Sequence, residues 1–136
     1  MAETQLYTVR SLAKDIDLAP RKVSIVASLV RGRSVADALV ILDHTTRRSA
    51  RPVAKAIASA QSNAVNNHGL DARSLQITTL SVTAGPRLKR FKPHMRGMAL
   101  PFQKKTSHIL VEVTGTIKPK KKPAAAKKPA AKEKEA

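Results

Sequence analysis

The stretch that decides the fold is residues 85–108, GPRLKRFKPHMRGMALPFQKKTSH, which joins two strand-like segments. No acidic residue lies between Asp71 and Glu112, and residues 85–108 carry seven cations. The cations are Arg87, Lys89, Arg90, Lys92, Arg96, Lys104 and Lys105. Such a segment repels itself unless anions neutralise it, and phosphates do so with release of condensed counterions. The charge pattern therefore predicts a phosphate-binding segment.

Apolar residues alternate with polar ones on both sides of this stretch, as in strands with one buried face. Before it, Leu75 and Ile77 share one phase and Leu80 and Val82 the other, which predicts a bulge between Ile77 and Leu80. The apolar positions after it are Ile109, Val111 and Val113. The connecting segment is far longer than a usual hairpin loop. Either it is disordered, or the strands continue outward as an arm reaching roughly 45 Å from Leu75 to Leu88 at about 3.3 Å per residue.

The spacing of apolar residues upstream predicts three helices after a first strand at residues 5–12. The first helix begins at Pro20 and ends at Gly32, and Ser34 is the expected N-cap of the second. The third runs from about Ser49 to Asn67 and stops at Gly69. The expected inward residues are Val23, Val26, Leu29 and Val30, then Val35, Ala38, Leu39 and Leu42, then Val53, Ile57, Ala60 and Ala64.

The composition divides the 136-residue chain, of net charge +17, into one basic domain and a tail. The predicted domain is residues 1–115, with an extended hairpin at about residues 80–105. Residues 116–136, TIKPKKKPAAAKKPAAKEKEA, contain eight Lys and two Glu and cannot form a core, so they are predicted to be a disordered tail. This tail accounts for +6 of the +17 and leaves +11 on the domain. The tail is either a solubilising extension or a nonspecific phosphate binder.

Residues that could perform chemistry are absent or scattered. There is no cysteine, the four histidines show no metal-ligand spacing, and no phosphate-cradling or nucleophile motif occurs. The nearest acidic pair, Asp15 and Asp17, lies beside a helix start, where charge or capping explains it. We therefore expect no enzyme activity, no metal and no cofactor. No apolar run is long enough to span a membrane and the N-terminus lacks the apolar core of a signal peptide, so we expect a cytosolic protein.

The scarcity of aromatic residues narrows the choice of anionic partner among RNA, DNA and membranes. Tyr7, Phe91 and Phe102 are the only ones, too few for a platform that stacks single-stranded bases. A mixture of cations, prolines and apolar residues favours insertion into a folded RNA. Compaction of DNA remains an alternative because it needs little more than charge. Binding to an anionic membrane is another, although no basic amphipathic helix with apolar aromatics is evident.

Four segments carry a resemblance to a known family. They are APRKVSIVASLVRGRSVADALVIL at residues 19–42, SAQSNAVNNHGLD at 59–71, GPRLKRFKPHMRG at 85–97 and KKTSHILVEV at 104–113. In this order and over about residues 9–113, the chain resembles bacterial-type large-subunit ribosomal protein twenty-two. The resemblance implies a small α+β domain with three helices packed on a small antiparallel sheet. Two strands would extend into a long protruding β-hairpin.

The resemblance also implies a function and partners. The family binds large-subunit rRNA, supports subunit assembly and lines the peptide exit tunnel with its hairpin, beside neighbouring ribosomal proteins and the nascent polypeptide. Carried over, the expected rRNA-binding residues are Arg21, Lys22, Arg87, Lys89, Arg90, Lys92, Arg96, Lys104, Lys105, Thr106, Ser107 and His108. The expected tunnel tip, within residues 88–97, contains Leu88, Lys89, Arg90, Phe91, Pro93 and Gly97. The sequence departs from the more Arg-rich pattern of many relatives at His94, Met95 and Met98.

Overall fold

The computed structural model describes residues 6–117 as three helices and a three-stranded antiparallel sheet. The elements are β1 (Tyr7–Ile16), α1 (Pro20–Val30), α2 (Val35–Asp43), α3 (Ala50–His68), β2 (Gln76–Pro93) and β3 (Ala99–Gly115), with a 3₁₀ turn at Met95–Gly97. This confirms the predicted α+β class for these residues. Thr116 and Ile117 still belong to the body, since the Asp71 N–H donates to the Thr116 carbonyl at 2.9 Å and Leu70 bridges to Ile117. The remainder of the predicted tail, residues 118–136, lies outside the described residues.

The central strand of the sheet is β3, which has β1 on one side and β2 on the other. Its alternate residues Ile109, Val111 and Val113 are fully buried beneath the helices. The register of β2 against β3 shifts between Ile77 and Thr79, which confirms the predicted bulge. The bulge lets apolar residues on both sides of the shift face the same core.

The first strand is longer than the sequence predicted. Strand β1 does not stop near Leu12 but continues to Ile16, which pairs with Ser107 after an irregularity that follows Ala13. The added residues, which include Lys14 and Asp15, show no alternating apolar pattern of their own. Pairing with β3 keeps them in the sheet. This extension brings the end of β1 to the root of the long hairpin.

Helix α1 begins at Pro20 as predicted, but one of its expected core residues is wrong. Leu29 is 48% exposed, and Ala27 is buried instead. At 100° per residue, Val23, Ala27 and Val30 lie on one stripe, whereas Leu29 falls to its side. The period was therefore identified correctly, but the buried face was placed too far toward Leu29 and away from Ala27.

Helix α2 begins at the predicted position, and helix α3 begins and ends close to the predicted residues. The Ser34 side chain accepts a hydrogen bond from the Asp37 N–H at 3.2 Å and caps α2. Helix α3 ends at Gly69, whose φ of 63° is left-handed and suits glycine. The small residues of α3 permit close helix–sheet approach, and its buried positions are Ala50, Val53, Ala56, Ile57, Ala60 and Ala64.

The chain path places the starts of two helices at one end of the sheet. Helix α1 starts four residues after β1 ends beside Ser107, and it runs back along the sheet, where the Gly32 N–H donates to the Ile77 carbonyl at 3.1 Å. The Ser49 hydroxyl, just before α3, donates to the Lys22 carbonyl at 3.2 Å. Helices α1 and α3 therefore both begin at the end from which the hairpin leaves the body.

Candidate nucleic-acid interface

Strands β2 and β3 continue past the body as a two-stranded arm. They remain paired from Arg87 opposite Lys105 to Pro93 opposite Ala99, seven pairs in all, and residues 86–105 are all exposed. At about 3.3 Å per residue this adds roughly 20 Å of projecting hairpin. Of the two alternatives that the sequence left open, the structure shows the extended arm.

The arm reverses direction at residues 94–98. The His94 N–H donates to the Met98 carbonyl at 2.8 Å, and Arg96 and Gly97 have left-handed φ angles of 55° and 72°. Met95 and Met98 are both exposed, as is Phe91 farther down the arm, at 72%. The end of the arm is thus a turn with apolar side chains and without a protein core beneath them.

Strand register divides the arm into two faces. Because β3 alternates without interruption, Lys105 lies on the same side as the buried Ile109 and Val111, and we call this side the helix-side face. The residues of this face are Arg87, Lys89, Phe91, Pro93, Ala99, Pro101, Gln103 and Lys105. The outer face consists of Leu88, Arg90, Lys92, Leu100, Phe102 and Lys104. The sequence-predicted cations are therefore separated into two groups.

Charge is distributed differently on the two faces. On the outer face each cation stands opposite an apolar residue, in the pairs Leu88–Lys104, Arg90–Phe102 and Lys92–Leu100. The helix-side face instead has its cations near the root, followed by apolar residues and prolines toward the tip. The helix-side face therefore concentrates positive charge where the arm meets the body.

The root of the arm is held by side chains that the family resemblance had assigned to rRNA binding. Thr106 is buried, and its hydroxyl donates to the Pro86 carbonyl at 2.8 Å. Ser107 is fully buried, and its hydroxyl has no hydrogen-bond partner among residues 6–117. Nδ1 of His108 accepts a hydrogen bond from the Asp15 N–H at 3.0 Å. All three side chains thus lie within or against the protein.

The contacts of two acidic residues with this root were not predicted from the sequence. Asp15 and Asp17 do not cap α1, whose N-cap is Ala19 and makes no side-chain bond. Instead, the Asp17 carboxylate lies 2.8 Å from the Lys104 ammonium, and the Asp15 carboxylate lies 3.9 Å from Nδ1 of His108. The only sequence signal was the closeness of two acids in a chain with few of them. Their partners are about ninety residues away, so no local pattern identifies them.

A second basic area lies on the body, at the helix starts. Arg21 and Lys22 are exposed in the first turn of α1, and Arg48 and Arg51 are exposed on either side of Ser49. The bond from Ser49 to the Lys22 carbonyl brings these two sequence clusters together. Free N–H groups at helix starts attract anions, and the neighbouring cations reinforce that attraction.

The described residues also bear on two other kinds of site, metal centres and membrane spans. Across residues 6–117, His and acidic side chains form no group of three that could hold a metal ion. Within that range none of the helices has the length and apolar character needed to cross a membrane. What the described chain does offer is an exposed arm of cations and apolar residues beside basic helix starts.

Comparison with known proteins identifies the family. Residues 11–114 match the family model of ribosomal protein L22p/L17e. The chain belongs to this ribosomal protein family. Membership confirms the resemblance drawn from the four sequence segments, and it makes the chain a structural ribosomal protein rather than an enzyme.

Individual members of the family match over most of their length. The large ribosomal subunit protein uL22 of Mycoplasmopsis pulmonis is 47% identical over 106 residues, which cover 78% of this chain and 96% of the relative. The protein of the same name from Pediococcus pentosaceus is 45% identical over 114 residues, 84% of this chain and 96% of the relative. That from Lactobacillus helveticus is 42% identical over 114 residues, 84% and 97%. The matched region includes the whole arm.

Proposed function

We propose that this ribosomal protein is a structural constituent of the large subunit in the cytoplasm, where it binds large-subunit rRNA and supports assembly. The relatives are named as large-subunit proteins. The observation that carries the proposal is the arm, in which twenty consecutive residues, 86–105, are exposed and include seven cations and no acid. A lone two-stranded hairpin is at best marginally stable in water, so an arm of this kind suits a partner that encloses it.

The residues proposed to contact rRNA are exposed cations that take part in none of the ion pairs found among residues 6–117. On the arm and on α1 they are Arg21, Lys22, Arg87, Lys89, Arg90, Lys92, Arg96 and Lys105. Arg and Lys at these positions would contact phosphates and would fix the protein on the RNA without reading its sequence. We leave Thr106 and Ser107 out of this set because their side chains are buried, and we give them the role of supporting the arm.

The finer part of the proposal concerns the tip. We propose that the turn and the strand leading to it line the polypeptide exit tunnel and meet the nascent chain, with neighbouring ribosomal proteins contacting the body. The residues concerned are Leu88, Lys89, Arg90, Phe91, Pro93 and Gly97. Exposed apolar side chains such as Phe91, placed among the cations of the arm, support this role because a passage for unfolded polypeptide needs a surface that is not uniformly charged.

The large-subunit assignment is tested by sedimenting a cell extract in moderate salt and locating the protein. We expect it in the large-subunit fraction at a salt concentration that removes loosely bound basic proteins. Recovery in the soluble or DNA-bound fractions would contradict the proposal. DNA binding would also show as equal competition by duplex DNA and by large-subunit rRNA.

The tunnel assignment is tested by photo-crosslinking. A photoreactive phenylalanine analogue replaces Phe91 at the arm, and in a matched variant it replaces Val40, an exposed residue of α2 on the body. Ribosomes stalled on a labelled nascent chain should give a crosslink to that chain from position 91 and not from position 40. Crosslinks from both positions, or from position 40 alone, would contradict the placement of the arm.

A further inference from the structure

Two neighbouring lysines of the arm have opposite environments. Lys104 and Lys105 are adjacent on β3, so their side chains leave the strand on opposite faces. Lys104 is on the outer face opposite Leu88, and Lys105 is on the helix-side face opposite Arg87. The sequence treats the two as equivalent members of one basic motif. The structure separates them.

The outer-face lysine is neutralised by the protein itself. Its ammonium lies 2.8 Å from the Asp17 carboxylate, with Lys104 50% and Asp17 54% exposed. The surface depression around this ion pair is lined by Asp15, Pro86, Leu88 and Thr106, so Lys104 faces the segment that follows β1. Lys104 thereby ties the arm to the segment that joins β1 to α1.

The helix-side lysine, Lys105, is surrounded by other cations. It stands directly across from Arg87, and Lys89 is two residues farther along the same face. Opposed residues on antiparallel strands have Cβ atoms about 4.5–5.5 Å apart, and like charges there repel. None of the ion pairs found among residues 6–117 involves Arg87, Lys89 or Lys105. The two acids at the root, Asp15 and Asp17, contact His108 and Lys104 instead.

We propose that Arg87, Lys89 and Lys105 form a clamp for backbone phosphates of structured RNA, and that Lys104 is not part of it. This inference rests on the proposed function and assigns separate roles within the same arm. A phosphodiester lying over this face, between the side chains of Arg87 and Lys105, would relieve their repulsion, and guanidinium and ammonium groups both bind phosphate. The ion pair with Asp17 holds the exposed Lys104 ammonium against the segment that joins β1 to α1, where it sets the direction of the arm.

The test compares the full-length variants K105Q and K104Q, which remove the same charge from adjacent residues. Binding to a transcript of the large-subunit rRNA is measured over a series of salt concentrations. Loss of one phosphate contact lowers the slope of log affinity against log salt by about one. We expect that change for K105Q and for R87Q, and an unchanged slope for K104Q. An equal change for K104Q and K105Q, or no change for K105Q and R87Q, would overturn the clamp.

The role of Asp17 is tested separately. The variant D17N releases Lys104, so its salt slope should become steeper, and the double variant D17N/K104Q should return to the original slope. An unchanged slope in D17N would overturn the role given to Asp17. All substituted side chains are exposed, and thermal unfolding of each variant confirms that the fold is retained.

Failure of the clamp is distinguishable from failure of the proposed function. The unsubstituted protein is first tested for preference between the rRNA transcript and duplex DNA of equal length. Lack of preference would count against the rRNA assignment. The comparison of Lys104 with Lys105 on the RNA would still decide the clamp.

Discussion

At the scale of single residues, Gly85 shows how closely the root of the arm is packed. A Cβ added there would lie 2.5 Å from Oγ1 of Thr106 and 3.2 Å from Cε1 of His108. Thr106 is restrained, because its hydroxyl donates to the Pro86 carbonyl. We expect Gly85→Ala to lower the free energy of unfolding by about 1–3 kcal/mol, as overpacking does in well-packed sites. Urea denaturation measures this change.

The Thr106→Ala background provides the control for this substitution. Without Oγ1, the added methyl group has room, so Gly85→Ala should cost less in that background than in the natural sequence. The difference between the two costs isolates the contact. Equal costs in both backgrounds would show that the alanine acts through the backbone rather than through Thr106.

At the scale of elements, the arm and the body depend on different interactions. The body is held by buried apolar residues, of which Leu80 and Ile109 are the nearest to the arm, whereas residues 86–105 bury no core. Replacing residues 88–104 with an Asn-Gly turn between Arg87 and Lys105 should therefore retain a cooperative thermal transition. The shorter deletion of Leu88–Arg90 should do the same. Circular dichroism during heating measures the transition, and its loss would show that the arm contributes to the core.

At the scale of the whole molecule, positive charge is shared between the body, the arm and the residues that follow Ile117. Residues 118–136 carry eight Lys and two Glu. Truncation after Ile117 should weaken binding to duplex DNA and lower its salt slope, because this binding depends on charge alone. Affinity for large-subunit rRNA should fall less, since the arm is retained. Fluorescence anisotropy at several salt concentrations measures both, and equal losses on the two ligands would contradict this division.

Local chemistry was sufficient to predict most of the elements. Pro20, Ser34 and Gly69 mark helix boundaries through backbone properties that operate within a few residues. The change of phase between Ile77 and Leu80 predicted the bulge for the same reason. The predictions were wrong where contacts with residues distant in the sequence determine the structure. Strand β1 is prolonged by pairing with β3, and Leu29 is exposed because the core covers the stripe of α1 that contains Ala27 instead.

By itself, the sequence determined that this chain has a basic segment between two strands, three helices upstream and the motifs of a ribosomal family. These follow from periodicity, charge and motifs, which are properties of neighbouring residues. Only the tertiary structure decided which cations of the arm form an ion pair within the protein and which are left to bind an anionic partner. The register of β3 separates Lys104 from Lys105, and the long-range contact with Asp17 occupies one of them. The physical reason is that a strand turns adjacent side chains to opposite sides, and only the folded chain shows what lies on each side.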